Sequence, residues 1–558
     1  MKPIAKPYFL LLTLVLFLAS CSKKSNVPVP ADAMVVVHIN GSSLQSKLSW
    51  EEFKQGELYK IAMEEIKDDF HKKILANPDS SGIDIGSDAF LFIRTRGRGA
   101  YTGFTCKIKD EKAFTAFVSH MAEGKEIMKD GDLSVIKTRD AVLSWKDNRF
   151  VMIGDSPGFN NNDKGIGFKR KMDNFNSRSF PEDSLVKFAA EVYTIKGSSS
   201  IGDDSRFTSL LKEPGDAHIW FNSGKQYADA LGPVIALTKA GLLLEGNITA
   251  ATMNFEKGKV VFDAKSYINK EMAALYKKHS GQNLDEDMLK KIPSGNINAV
   301  LAVKYVPQGL KDLLILLGLD GAANSFLSKI NYSVDEFVKA NKGDLLFAVT
   351  DFSIGEKEIK NTIDGEDYSF SRKAPSAKFL FATSVNDKAA FQKLVTTLQE
   401  KLGEESPAVM AMAAKVPYRL TDNWFLAGDS AMINTFGATS TNHAFISKIS
   451  GHPMGGYVDI QKFIGGIRAS LDSASVPVAD SAIRFWQDIV FYGGEFKNDA
   501  VQSHFEFNLA DQNTSSLKQL NNYLGGLAKA QREMMKRRQQ EAFGEWQDNT
   551  LPTPDTMR

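Results

Sequence analysis

Cysteine is nearly missing from this sequence: 558 residues contain two, Cys21 and Cys106. One pair cannot supply a disulfide framework, so the fold has to be held by apolar burial. Net charge is almost missing as well. Lys+Arg 68 against Asp+Glu 67 leaves a formal +1, which removes the overall electrostatic footprint of a nucleic-acid binder. No apolar run reaches the ~20 residues that a helix needs to cross a bilayer. The eight histidines, His38, His71, His120, His218, His279, His443, His452 and His504, are scattered, with no His-Glu-x-x-His or His-x-His spacing, so no dedicated metal site is indicated. The acidic turns Asp130-Gly131-Asp132 and Asp364-Gly365-Glu366-Asp367 lack the remaining ligands of a calcium loop. No cofactor is expected.

What is present begins with an address. Lys2 and Lys6 precede an apolar stretch from Tyr8 to Ala19, a charged n-region followed by an h-region. The stretch ends in Leu18-Ala19-Ser20-Cys21, which resembles the lipobox of bacterial lipoproteins. That resemblance implies cleavage before Cys21, diacylglycerol and palmitate on it, and attachment to a membrane of the cell envelope. Residues 1–20 then form the signal peptide and 21–30 a tether, polar and then proline-rich, which resists packing. Loss of Lys2 and Lys6 takes the formal charge from +1 to −1. Lys23 and Lys24 behind the lipid favour the outer membrane with the chain facing the periplasm. With Cys21 consumed, Cys106 has no partner for a disulfide. It lies in the alternating, strand-like run Tyr101 to Ile108 and reads as a small buried hydrophobe.

The body is 43% hydrophobic, 10% aromatic and 24% charged, an ordinary globular composition. At this length several cores are expected, because single cores rarely grow beyond ~250–300 residues. Internal repetition shows how the chain divides. Ile108 to Val118 resembles Val385 to Val395 without a gap; in each a strand runs into an aspartate, Asp110 or Asp387, followed by apolar residues at three- and four-residue steps. The carboxylate can accept from the free N–H groups of a first helical turn, so each copy reads as strand, N-cap, amphipathic helix. Asp147-Asn148 followed by Phe150 to Ser156 is matched by Asp422-Asn423 followed by Trp424 to Ser430. Phe255 to Ile268 matches Phe496 to Leu509 as a hairpin. Met34 to Ile39 pairs with Ala299 to Val303, each followed by a helical segment opening at Gly41 or Gly309. The expected fold is therefore α+β and internally duplicated, with mostly antiparallel sheets and helices packed on one face. Its halves are 31–280 and 292–528, with a basic helix end and disordered tail over 529–558. The first half carries an insertion at 156–185, and residues 196–206, 353–376 and 401–408 read as loops.

Gly154-Asp155-Ser156-Pro157-Gly158 satisfies the Gly-x-Ser-x-Gly pattern of a nucleophile elbow, making Ser156 the candidate of a hydrolase reading. An elbow runs from strand directly into helix. Here proline, glycine and three asparagines follow, and the counterpart Gly428-Asp429-Ser430-Ala431-Met432 drops the last glycine, so a turn shared by both halves is the simpler account. Gly97 to Gly103 misspaces its glycines for a phosphate loop and leads into a strand; Arg94, Arg96 and Arg98 read as a solvated hairpin tip. Two helical segments, Leu310 to Leu319 and Ala228 to Leu244, are more apolar than surface helices need to be. Core packing is the default; if exposed, either becomes a site for a partner, a lipid or an apolar ligand.

The lipobox, the Pro28-Val29-Pro30 tether, the opening strand from Pro30 to Asn40 and the strand-Asp-helix units resemble an uncharacterised lipoprotein family of Bacteroidota, a domain of unknown function. The resemblance assigns no catalytic residues. The expected function is a membrane-anchored, non-catalytic binding or scaffolding role toward an envelope protein or glycan. The alternatives are a carrier or sensor of an apolar ligand and a serine hydrolase using Ser156.

Overall fold

The computed structural model describes residues 27–97, 99–122, 125–138, 141–156, 180–224, 239–243, 246–363, 366–405, 416–438, 440–473 and 475–548. Cys21, where lipidation is expected, the bulk of the 156–185 segment and the distal tail lie outside them. The fold is α+β, with antiparallel strands and helices. It forms two compact units, one drawn from residues 1–39 and 81–214, the other from 40–80 and 215–558.

The first unit holds β1 (Val35–Asn40) as far as Ile39, β2 (Asp88–Arg96), β3 (Gly99–Lys107), β4 (Met128–Asp130), β5 (Leu133–Lys137), β6 (Ala141–Lys146) and β7 (Arg149–Asp155). Their spatial order is β4-β5-β6-β7-β3-β2-β1. The second unit holds β8 (Ala217–Asn222), β9 (Ile248–Phe255), β10 (Lys259–Tyr267), β11 (Ile297–Lys304), β12 (Asn341–Ile363), β13 (Glu366–Val385), β14 (Tyr418–Leu420), β15 (Trp424–Gly428), β16 (Met454–Asp459), β17 (Trp486–Lys497) and β18 (Ala500–Leu509). They run β8-β9-β10-β18-β17-β16-β11-β12-β13-β15-β14, every neighbour antiparallel.

In chain order the helices are α1 (Gly41–Lys47), α2 (Trp50–Gln55), α3 (Glu57–Glu65), α4 (Asp69–Ala76), α5 (Glu111–Met121), α6 (Glu182–Thr194), α7 (Ser205–Leu210), α8 (Lys270–His279) and α9 (Glu286–Leu289). They continue with α10 (Pro307–Leu316), α11 (Asp320–Ser328), α12 (Val334–Ala340), α13 (Lys388–Glu405), α14 (Ser430–Thr435), α15 (Ile446–Ile449), α16 (Ile460–Arg468), α17 (Val476–Phe485) and α18 (Ser516–Asp548). Helices α5 to α7 belong to the first unit and the others to the second.

The two aspartates do what their position demands. Asp110 accepts from the Ala113 N–H at 3.0 Å and opens α5; Asp387 accepts from the Ala390 N–H at 2.9 Å and opens α13. Each satisfies donors that the first helical turn leaves free. Four residues on, Phe114 stacks on Phe150 with centroids 5.1 Å apart, and Phe391 lies 5.2 Å from Phe425. The approach to each cap is also alike. The Gly82 carbonyl receives the N–H groups of Lys109 and Asp110, and the Ala340 carbonyl those of Asn386 and Asp387. Strand register corrects one detail of the repeat: Cys106 faces Phe150 and Thr383 faces Phe425, so Phe150 corresponds to Phe425 and not to Trp424.

Other expectations change. Residues 353–376, read as a loop, belong to the β12–β13 hairpin, whose pairing continues to Ile363 opposite Glu366. Helix α13 runs on to Glu405, into the segment expected to be a loop from 401. Residues 196–206 are two turns of 3-10 helix followed by the start of α7. Cys106 is buried, as its strand position implies.

Candidate functional site

The Ser156 hydroxyl pairs with the Thr102 hydroxyl at 2.6 Å. Its counterpart corrects the shared-turn reading: β15 passes through Gly428 straight into α14, with Asp429 as the cap and Ser430 the first helical residue. Gly428 has φ +141°, and a Cβ there would sit 2.0 Å from the Phe379 carbonyl oxygen, so the glycine serves close strand packing. Arg94 and Arg96 are not a solvated tip. Arg94 meets Asp32 at 2.6 Å, Glu191 at 3.0 Å and the Tyr101 hydroxyl at 3.1 Å, and Arg96 meets Glu191 at 3.0 Å. Arg98 lies outside the described residues.

The apolar helices give a different result. Helix α10 buries none of its residues; Leu310 is 40% and Ile315 50% exposed, and in α11 Phe326 reaches 67%. The polar side of α10 is tied to α8 through Asp312, which takes Lys278 at 2.6 Å and His279 at 2.8 Å. The Lys278 ammonium, with Gln308 and His279, holds that carboxyl well below the usual carboxylate range. Within the Leu310 to Leu319 segment Leu317 is buried, so core packing accounts for its end and leaves Leu310 and Ile315 exposed. Most of Ala228 to Leu244 lies outside the described residues; within Lys239–Leu243, Leu243 is exposed.

The sheet of the second unit carries the most extended feature. On β11 to β13 the alternate residues Val300, Ala302, Leu346, Ala348, Leu380 and Ala382 are buried in one core with Met288 and Leu289 of α9, Met432 and Ile433 of α14 and Ile446 and Ile449 of α15. Side chains alternate along a strand. The intervening residues face the opposite side, where a one-sided antiparallel sheet ordinarily turns polar. Here it does not. Across β14, β15, β13, β12 and β11 one register row reads Tyr418, Ala427, Phe381, Phe347 and Leu301. It continues over β16, β17, β18, β10, β9 and β8 as Gly456, Phe491, Phe505, Phe262, Met253 and Ala217. No side chain in the row carries a charge. At about 4.8 Å per strand the row extends for about 48 Å.

The rows beside it add Ala299, Val349 and Phe379 on one side and Val303, Leu345 and Met454 on the other. Leu301 is 36%, Phe347 38%, Phe379 37% and Met454 37% exposed. This apolar face is therefore open around β11, β12, β13 and the start of β16, whereas α13 packs on Phe425 toward one end of the row and Ala217 is buried at the other. In the first unit Leu91, Phe104, Met152 and Leu143 stand in register on β2, β3, β7 and β6, with Leu91 37% and Met152 44% exposed, but Phe104 and Leu143 pack against the α5 core around Phe114 and Phe150. The opposite face of these strands is covered by α6, whose Phe188 stacks on Tyr101 at 4.6 Å. Sequence periodicity did not expose this face, because a strand apolar on both sides reads as buried on both.

The domain family DUF4836, a domain of unknown function, matches residues 25–422. The chain belongs to this family. No curated protein matches it. Among solved structures, crystal form III of TP0453 is 10% identical, covering 45% of this chain and 84% of that one with a TM-score of 0.23. Crystal form I is 9% identical, covering 46% and 86% with the same TM-score. Among the described residues of this DUF4836 member, no helix is long and apolar enough to cross a membrane.

Proposed function

We propose that this protein is a non-catalytic binding protein of the bacterial cell envelope, tethered through lipid on Cys21, whose open sheet face receives an apolar ligand or the apolar segment of a partner. The observation that carries the reading is the exposed part of the uncharged row, Tyr418, Phe347 and Leu301, with Phe379 and Met454 exposed beside it. An apolar face of this size costs solubility if left to water, and exposed apolar patches on such a scale mark binding sites. The row also has a counterpart in the first unit. Phe104 and Phe381 stand six residues before the two capping aspartates, and Leu91 and Phe347 are their partners on the neighbouring strands. We infer from these matched caps, aromatic pairs and rows that the chain arose by duplication. Among the described residues the Ser156 hydroxyl is paired with the Thr102 hydroxyl and not with a base, which does not favour a hydrolase.

The test is binding of an apolar fluorescent probe to the full chain. Phe347→Glu places a charge in the row at a position already 38% exposed, so folding should be little affected. Loss of one large apolar contact, about 1.5–3 kcal/mol, should weaken binding by roughly 10- to 100-fold. Unchanged affinity would remove the sheet face from the binding site. For the tether, Cys21→Ala should move the protein from the membrane to the soluble fraction; retention in the membrane would contradict lipid attachment at that residue.

A further inference from the structure

The second unit contains a polar cluster on the core side of the same sheet, where β10 pairs with β18. The His504 imidazole Nδ1 lies 2.7 Å from Asp263, and its Nε2 lies 3.6 Å from Glu506. Glu506 is nearly buried between Lys259 of β10, at 2.6 Å, and Lys448 of α15. Tyr492 of β17 stacks on His504 with centroids 4.6 Å apart, and His452 stacks behind Tyr492 at 4.2 Å while pairing with Glu495. The groups facing His504 are therefore Asp263 and Lys259 from β10, Glu506 from its own strand, Tyr492 and Glu495 from β17, and Lys448 and His452 from α15 and the loop after it.

The register gives this pair a special place. Phe255 faces Val260 in one hairpin and Phe496 faces Val501 in the other, so the two hairpins match without a gap. Asp263 and His504 each stand eight residues after those phenylalanines, and they face one another across the seam. The strand thus pairs with its own counterpart, and its central position meets itself. Identical charged residues there would repel; aspartate in one copy and histidine in the other attract.

We propose that the Asp263–His504 pair is a pH-responsive lock on the β10–β18 seam. Its position as a centre of symmetry rests on the duplication inferred above, whereas the lock rests on the geometry alone. The hydrogen bond to Asp263, opposed by burial and aided by Glu506, raises the imidazole above its ordinary value of 6.5. A group raised on folding stabilises the fold fully below its unfolded value and loses that contribution as pH rises through the folded one. Burial alone would lift the Glu506 carboxyl, but Lys259 and Lys448 outweigh it and hold it at about 2. Its contribution is present above 4.5 and is lost toward acid. The seam is therefore tightest between those two ordinary values.

Proton NMR of the His504 ring in the full chain should give a titration midpoint above 6.5. Amide protection of β10, corrected for intrinsic exchange, should fall several-fold from about pH 6 to about pH 9 in the wild type and stay level in His504→Gln. A wild-type midpoint at or below the ordinary value, or equal slopes in the two proteins, would overturn the lock. If His504→Gln does not fold, the wild-type ring titration decides by itself. None of these readings depends on the apolar face, whose failure would appear only in probe binding.

Discussion

Replacing Asp216 with alanine should lower the stability of the second unit by about 3–5 kcal/mol, the scale of breaking a buried ion pair by removing one partner. The Asp216 side chain has no exposed surface. It takes the Lys47 ammonium at 2.5 Å, the Ser43 hydroxyl at 2.6 Å and the Phe255 backbone N–H at 2.6 Å. Its backbone adds two more bonds, donating to the Met253 carbonyl and accepting from the Asn40 N–H. One carboxylate therefore fixes α1 against the strands β8 and β9. Without it, Lys47 keeps its charge, only 27% exposed, and a strand-end N–H loses its acceptor. Urea unfolding monitored in the second unit should show the loss. Changing Lys47 to methionine in the same chain should recover part of it, since removing both charges costs less than stranding one. A loss under about 1 kcal/mol would mean that solvent replaces the carboxylate at little cost.

Phe114→Ala and Phe391→Ala should each destabilise their own unit by about 3–5 kcal/mol, as truncation of a packed phenylalanine does. Phe114 is 1% and Phe391 5% exposed. Phe114 also packs against Trp145 at 5.7 Å, so its removal should cost the more of the two. Separate unfolding of the units would let calorimetry assign each loss. Two similar losses fit one inherited helix anchor used twice; a neutral Phe391→Ala would confine the anchor to the first unit.

The strand-Asp-helix unit was legible because its signals are local. A cap acts on the next three residues, and the helix repeats its apolar positions within a turn or two. The Phe150 alignment slipped by one residue because sequence similarity cannot see which residue lies across the sheet; register can. The arm over 353–376 escaped because Gly355 and Pro375 interrupt alternating charges, which resembles a loop, yet those residues pair in a two-stranded hairpin. Asp263 and His504 could not be joined from the sequence at all. Their contact spans 241 positions and exists only because β10 and β18 meet. The open face was concealed for a related reason: Leu301, Phe347 and Phe381 are as apolar as the residues beneath them, and the sequence does not say which side a helix covers. The Leu310 segment reads as core from its composition; α10 itself buries no residue, while Leu317 just beyond it is buried.

The central claim is that the uncharged sheet face is occupied in the envelope. The most direct measurement is site-specific photocrosslinking in native membranes, with the photoreactive residue at position 347 and a control at Lys357 on the exposed β12 arm. An occupied face predicts a discrete adduct at 347, an acyl lipid or an apolar protein segment, that is absent at 357 and lost when Leu301 is changed to glutamate. Identical products at both positions, or none at 347, would contradict the account.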